Sequence, residues 1–384
     1  MPDFELELTQ IVAELNRAVP TPQEHQPLTA LNPASLDQLL IHSVHEGASD
    51  LLLIAEVPVT LRIAGSLSQS TGPALTGEAT RNLLLPLLTA AQKRELDQNK
   101  SVDLCFSREG IGRFRANVHH QRGTVAGSVR ILPEKIPTLE SLHLPARLRT
   151  LAEARQGLLL ITGPTGCGKS STLAALVDEI NSQRRDHVVT IEDPIEFVHV
   201  NRKSIIEQIE VGQDARDFAG SLRSILRQNP DVILVGEMRD CETMAIALTA
   251  AETGHLVLST LHTNDTPQAV SRILDSFPAG NQPQIRQQLS LALLAVVAQQ
   301  LLPSAVDGER YPVVEILMAT GAVRSLIRKG EDHQLYSALT TGRAEGMVSM
   351  EQSLAESVRN GRISRETALA HCFRREELLQ HLRD

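Results

Sequence analysis

Cysteine is scarce: the 384 residues contain four, Cys105, Cys167, Cys241 and Cys372, and no two form a C-x-x-C pair. Their spacing excludes a zinc knuckle and a disulfide framework, and fits a reducing cytoplasm. Positive charge is short as well. Thirty-seven Lys and Arg face 46 Asp and Glu, for a formal net charge of −9. That is the wrong sign for a protein whose main partner is a phosphate backbone, so no nucleic-acid partner is expected. Long apolar runs are missing too. The longest uncharged one, Leu289 to Leu302, contains Gln299 and Gln300 and falls short of the roughly 20 residues a bilayer helix needs. Any membrane association is therefore expected to be peripheral. The start, Met1-Pro2-Asp3-Phe4-Glu5-Leu6-Glu7, is acidic and alternating rather than basic then apolar, so no signal peptide is expected.

With 42% apolar residues the chain can bury a sizeable core, and its length suggests two or three domains. Phe4, Leu8, Ile11, Val12 and Leu15 recur near helical spacing and are followed by Pro20, Pro22, Pro27 and Pro33. Residues 1–33 thus read as an amphipathic helix on a proline-rich tether. Residues 34–133 read as a small α+β domain. Helices are expected over 36–45 and 80–98, and strands over 49–54, 59–63, 101–106, 112–119 and 124–132. A linker over 134–148 carries Pro137 and Pro145. Strand and helix patterns then alternate through 149–318, which predicts a mostly parallel sheet covered by helices, and 319–384 reads as short helices.

The strongest chemical signal is Gly163-Pro164-Thr165-Gly166-Cys167-Gly168-Lys169-Ser170, a complete G-x-x-x-x-G-K-S between an apolar strand and a helix. Glycines let backbone N–H groups close around phosphate oxygens, and the helix N-terminus adds partial positive charge. Lys169 is expected to reach the β- and γ-phosphates, and the Ser170 hydroxyl to ligate Mg²⁺. Cys167 stands where a small residue is wanted and reads as a steric filler.

Hydrolysis also needs an acid to order magnesium and a group to activate water. The run Asp231-Val232-Ile233-Leu234-Val235-Gly236-Glu237 ends in a carboxylate at the edge of the sheet where ligands bind. Glu237 can hold Mg²⁺ directly or through water. A second acidic cluster, Glu192-Asp193-Pro194-Ile195-Glu196, follows another strand. It is either a solvated loop or the source of a general base.

Two histidines bracket the strand Gly254-His255-Leu256-Val257-Leu258-Ser259-Thr260-Leu261-His262. At roughly 3.3 Å per residue, seven steps separate them by more than about 20 Å, which excludes a shared metal ion. His262, at the carboxyl end, is the candidate for touching a γ-phosphate; His255 suits structure or a neighbouring contact. In the first domain Arg113 and Arg115 share one strand face by period two, with Arg122 and Arg130 following. Such arginines either solubilise the strand or complete a nucleotide site from outside.

Together these segments resemble the secretion-type hexameric ATPases, most closely the type IV pilus retraction motors of the PilT family. "GPTGCGKSSTLAALVDEIN" is similar to their Walker A segment, with Ser171 directly after the magnesium serine. "VTIEDPIEFVH" resembles their Asp box, and "LRQNPDVILVGEMRDCETMAIALTAAETGHLVLSTLHTND" their Walker B running into the His box. "ASDLLLIAEVPVTLRIAGSL" resembles the start of their PAS-like domain, and "GAVRSLIRKG" the "AIRNLIRE" segment of retraction motors.

The resemblance implies an α/β fold: a RecA-like P-loop ATPase core, a smaller α+β PAS-like N-terminal domain and a helical C-terminal region. It implies Glu196 as the catalytic glutamate, Glu237 acting through Mg²⁺, and His262 as the γ-phosphate contact. His255 would be the first histidine of the His box, and would join Gly163, Pro164, Thr165, Gly166, Cys167, Gly168, Lys169, Ser170 and Ser171 in the nucleotide-binding set. Arg113, Arg115 and Arg130 lie in the segment that supplies arginines to a nucleotide site, and Arg324 and Arg328 match the retraction segment. The chain departs from that segment at Val323, Ser325 and Lys329.

Further expectations follow from the family. They are a cytoplasmic homo-hexamer at the inner face of the inner membrane, ATP as substrate, a pilus platform protein as partner, and a paralogous retraction ATPase as a further one. Assembly and type II secretion ATPases usually carry a four-cysteine zinc module and a longer N-terminal region. Their lack favours retraction. An assembly or type II secretion ATPase, an accessory motor of the PilU kind, against which the "GEMRD" form counts, and a nucleotide-gated scaffold that hydrolyses little are the alternatives.

Overall fold

The computed structural model describes residues 35–63, 65–306 and 310–383, so the helix expected over residues 4–17 lies outside the described residues. The chain divides into two compact units at Glu134/Lys135.

In the first unit helix α1 (Leu36–His45) precedes strands β1 (Asp50–Leu53), β2 (Thr60–Ile63) and β3 (Ser66–Gln69). Helices α2 (Gly77–Leu84) and α3 (Ala90–Asn99) follow, then β4 (Ser101–Arg108), β5 (Gly112–Gln121) and β6 (Thr124–Leu132). The six strands form one antiparallel sheet in the order β3-β2-β1-β6-β5-β4. Period-two alternation along β5 buries Phe114, Ala116 and Val118 against Leu39, Leu40, Leu51 and Leu61, leaving Arg113 and Arg115 on the other face.

Two expectations fail here. The single helix over 80–98 is two, because Pro86, which has no N–H to donate, sits in a short 3₁₀ turn. Thr89 then starts α3 afresh with a reciprocal capping box: its hydroxyl accepts from Gln92 N, and Gln92 Oε1 accepts from Thr89 N at 3.0 Å. The strand β3 also went unforeseen, since Ser-Leu-Ser-Gln offers too little apolar alternation to announce a strand.

The second unit is a parallel α/β sheet. Helix α4 (Arg147–Ala152) leads into β7 (Gly157–Thr162), α5 (Lys169–Gln183), β8 (His187–Glu192) and β9 (Ile205–Glu210). Next come α6 (Phe218–Ile225), β10 (Val232–Val235), α7 (Cys241–Glu252), β11 (Leu256–Leu261), α8 (Thr266–Asp275) and α9 (Gln282–Ala292). Strands β12 (Leu293–Pro303) and β13 (Arg310–Met318) complete the order β13-β12-β7-β11-β10-β8-β9, parallel throughout except for β13 at one edge. Helices cover both faces, so the inner strands are mostly apolar, β10 at every position, with Thr162, Thr190, Ser259 and Thr260 as buried polar exceptions. Ile233 and Val235 face one core with Val257, Leu248 and Ile273; Val232 and Leu234 face the other with Leu258, Leu173 and Leu176. The apolar run from Leu289 is neither one helix nor one strand: α9 ends at Ala292 and the chain enters β12 at the next residue. Strands β9, β12 and β13 were not anticipated.

Five short helices end the chain: α10 (Gly321–Lys329), α11 (Leu335–Thr341), α12 (Met350–Arg359), α13 (Arg365–His371) and α14 (Arg375–His381). Leu354, Ile363 and Leu378 form a small core with Leu302 and Val313 of the β12–β13 hairpin. Arg324 donates to the carbonyls of Ala319, Ser290 and Leu291 at 2.6–2.8 Å, which caps the end of α9. On β13, Glu315 is fully buried and joins two helix starts. One oxygen accepts from Thr266 N and Oγ1, both at 2.8 Å, and the other from Met350 N at 3.4 Å. Burial raises its pKa, against the pull of the Thr266 hydrogen bonds.

Candidate nucleotide site

Four loops leave the carboxyl ends of neighbouring parallel strands, the edge where such sheets bind ligands. Polar bonds stitch them together. Thr162 Oγ1, at the end of β7, donates to Thr263 O at 2.7 Å, beyond β11. Thr260 Oγ1 donates to Gly236 O at 2.7 Å, and Met238 N to Thr260 O at 3.3 Å. Gly236 N donates to Ile191 O at 2.8 Å. The loops after β7, β8, β10 and β11 are thereby held as one rim.

The loop Gly163–Gly168 runs from β7 into α5. Gly168, with φ of 90°, is the N-cap of α5, a left-handed position that favours glycine. Gly163 has φ of 145°, and a Cβ there would overlap the Gln299 carbonyl oxygen. Pro164, Thr165, Gly166 and Ser170 are exposed along the loop's outer side, while Cys167 is buried and Ser171 half-buried. The Cys167 Sγ lies 2.7 Å from where that Gly163 Cβ would stand. Burial raises the thiol's pKa, which keeps it protonated and unreactive. Filler is the role its surroundings give it.

Lys169 Nζ donates to Gly163 O at 2.8 Å and Pro164 O at 3.0 Å. Burial lowers its pKa, opposed by the charges of Glu237 and Glu196 among others. Residues from the segments around 169, 196 and 237 therefore share one electrostatic environment. Glu237 itself is contacted twice: Arg239 Nη2 lies 2.5 Å from one oxygen and His262 Nε2 lies 3.5 Å from the other. Pairing with Glu237 raises the Arg239 pKa. The next residue, Asp240, accepts from Thr243 N at 2.8 Å and caps α7.

The acids of the second cluster separate by environment. Glu192 accepts from Thr190 Oγ1 at 2.7 Å and Gln208 Nε2 at 3.1 Å, and burial raises its pKa. It is engaged with its own strands. Asp193 is exposed, and Glu196 is half-buried with its charge acting on Lys169.

The two histidines part as the spacing predicted. His262 follows β11 directly, half-exposed beside Glu237. Asp265 then caps α8, accepting from Gln268 N at 2.8 Å. His255 stands at the other end of β11, with its backbone N 3.1 Å and its Nδ1 3.0 Å from Ala250 O. Within one chain it fastens the end of α7, at the opposite end of β11 from His262.

In the first unit Arg115 and Arg130 are direct cross-strand partners and Arg113 lies two residues along. Arg130 Nε is 3.0 Å from Asp50, which also sits 3.6 Å from Arg62, and Arg115 is 4.0 Å from Asp103.

Sequence reasoning missed Arg239, Thr260 and Gln299. An arginine two residues beyond a strand-end acid, and an amide inside an apolar run, were the available signals.

His199, three residues past Glu196, carries a testable pH dependence. Burial pushes its pKa down to about 4, and its Nδ1 has no hydrogen-bond partner among the described residues. The unfolded chain takes up this proton near pH 6.5 and the folded chain only near 4, so the stability is complete above about 6.5 and lost as pH falls. Melting curves between about pH 7.5 and about pH 5 should show a loss on the order of 2 kcal/mol that His199→Phe removes. An unchanged pH slope in the variant refutes the assignment.

A family model described as Type II/IV secretion system protein matches residues 29–319. The chain is 40% identical over 333 residues to the type IV pilus retraction ATPase PilT of Pseudomonas aeruginosa, covering 87% of this chain and 96% of that protein. It is 41% identical over 335 residues to the type IV pilus ATPase PilU of the same organism, covering 87% and 88%. Among solved structures it superimposes on the pilus retraction motor PilT with bound ADP at a TM-score of 0.84, with 42% identity, covering 90% of this chain and 99% of that one.

Proposed function

This chain belongs to the Type II/IV secretion system protein family, and from that premise we propose that it is a motor ATPase that withdraws type IV pili. The carrying observation is the grouping of Lys169, Glu196 and Glu237 at the mouth of the phosphate loop. Backbone N–H groups and the start of α5 receive the phosphates. Lys169, freed from the carbonyls of Gly163 and Pro164, neutralises their charge. Glu196 is the general base: it accepts the proton of the attacking water while the loop holds the phosphorus in line. His262, beside Glu237, reports the γ-phosphate to the rim.

Ser170 and Glu237 supply hard oxygen donors of the kind that would hold magnesium, which would supply positive charge against the phosphates. Arg239 holds one oxygen of Glu237 and must yield it for that role. Arg113, Arg115 and Arg130, crowded on one sheet face, are proposed to bring guanidinium charge to a nucleotide. A homo-hexameric ring at the inner face of the inner membrane, acting on the pilus platform protein, is the assembly proposed. No described helix is long and apolar enough to cross a membrane.

Identity is 40% to PilT and 41% to PilU, so an accessory motor is the second reading. Deleting the gene separates them. Cells that keep surface pili and lose all withdrawal support the main retraction motor. Cells that still withdraw pili, but with less force, support the accessory one; cells that build no pili overturn both.

A further inference from the structure

Gln299 and Gln300 interrupt the apolar run of β12, and the reading of the site leaves Gln299 unused. It is 3% exposed, where an amide must have partners. Strand β12 pairs with β7 as far as Ala298 beside Thr162, so Gln299 lies one step on, at the level where the phosphate loop departs. Its Nε2 donates to Cys167 O at 2.6 Å and its Oε1 accepts from Thr172 Oγ1 at 2.8 Å. Its own carbonyl oxygen occupies the space a side chain on Gly163 would need, and its Nε2 stands 2.9 Å from where a Cβ of Gly168 would be.

We propose that Gln299 is a positioning residue for nucleotide binding: its amide sets the conformation in which the loop receives phosphate. The argument rests on the reading of this loop as the ATP cradle. Peptide units are planar and trans, so the C=O and N–H of one unit point in opposite directions. Drawing Cys167 O onto the Gln299 amide therefore turns the Gly168 N–H away from β12, to the side where phosphate oxygens arrive. A loop free to flip that unit would present an oxygen to an anion instead. Thr172, fully buried in the first turn of α5, completes the device. By donating to Oε1 it fixes the amide's orientation, so that Nε2 and not Oε1 meets Cys167.

The test is ADP binding by calorimetry and steady-state MgATP hydrolysis on the full chain. Gln299→Met keeps the length and removes both bonds. The expected result is ADP affinity weakened about tenfold or more, with KM raised in step and kcat within about threefold, because Lys169, Glu196 and Glu237 are untouched. Thr172→Val removes only the orienting hydroxyl and is expected to weaken ADP less. The double variant should bind ADP no more weakly than Gln299→Met alone, since both act through one amide.

A Gln299→Met protein with a lower melting temperature but unchanged ADP affinity overturns the proposal, as does additivity in the double variant. If Gln299→Met does not fold, unchanged ADP affinity in Thr172→Val overturns it. Wild-type protein that binds no ADP defeats the ATP reading itself, an outcome distinct from these.

Discussion

Glu196→Gln is expected to reduce MgATP hydrolysis by about a hundredfold to ten-thousandfold while leaving nucleotide affinity nearly unchanged. The amide keeps the shape of the carboxylate but has no basic oxygen to take the water's proton. Of the three acids in its loop, Glu192 is bonded to Thr190 and Gln208 and cannot turn outward without breaking both bonds. Asp193 is exposed, so water competes for it. Glu196 is the one whose charge acts on Lys169, the group proposed to hold the reacting phosphate. Phosphate release under saturating MgATP measures the effect, with ADP calorimetry as the affinity control. If Glu192→Gln abolishes turnover and Glu196→Gln does not, the assignment is wrong.

Gly163→Ala is expected to abolish nucleotide binding in a protein that still folds. Two independent obstacles act at that position. Its φ of 145° is a left-handed conformation that a side chain resists, and the added methyl falls on the Gln299 carbonyl, which is backbone and cannot rotate aside. The loop must shift and carry its N–H groups out of register with the phosphates. Near-native circular dichroism with ADP affinity lowered by at least about a hundredfold is the expected outcome. Affinity within about threefold of wild type contradicts it. Gly166→Ala should be milder, because nothing lies within 4 Å of the added carbon and only the backbone conformation, φ 79°, resists it.

Both variants touch residues that the sequence alone singled out, and this shows what kind of information a sequence carries. The phosphate loop, the acids at 196 and 237 and the separation of His255 from His262 were legible because each depends on local order: a motif, a strand end, a fixed rise per residue. The parallel core was legible because strands covered on both faces read as near-continuous apolar runs. Residues whose meaning comes from elsewhere in the chain were not. Gln299 looks like an interruption of an apolar run until Cys167 and Thr172, over a hundred positions away, are brought to it. Glu315 is one charge in a strand until two helix starts converge on it. Arg324 and Arg328 matched a segment as a pair, yet Arg324 is consumed in capping α9 and Arg328 is exposed.

Glu315 has a mechanical consequence. One of its oxygens grips Thr266, four residues beyond His262, and the other grips Met350, the first residue of α12. The carboxyl is sealed from water, so releasing either grip strands a buried polar group at a cost of about 1–3 kcal/mol. The loop that carries His262 and the first turn of α12 are therefore pinned to one rivet, and a displacement of either larger than the slack of a hydrogen bond drags the other. Any movement of the His262 loop would thus be felt at α12 through Glu315 as well as through the core that packs Val270 and Ile273 against Leu335 and Leu339.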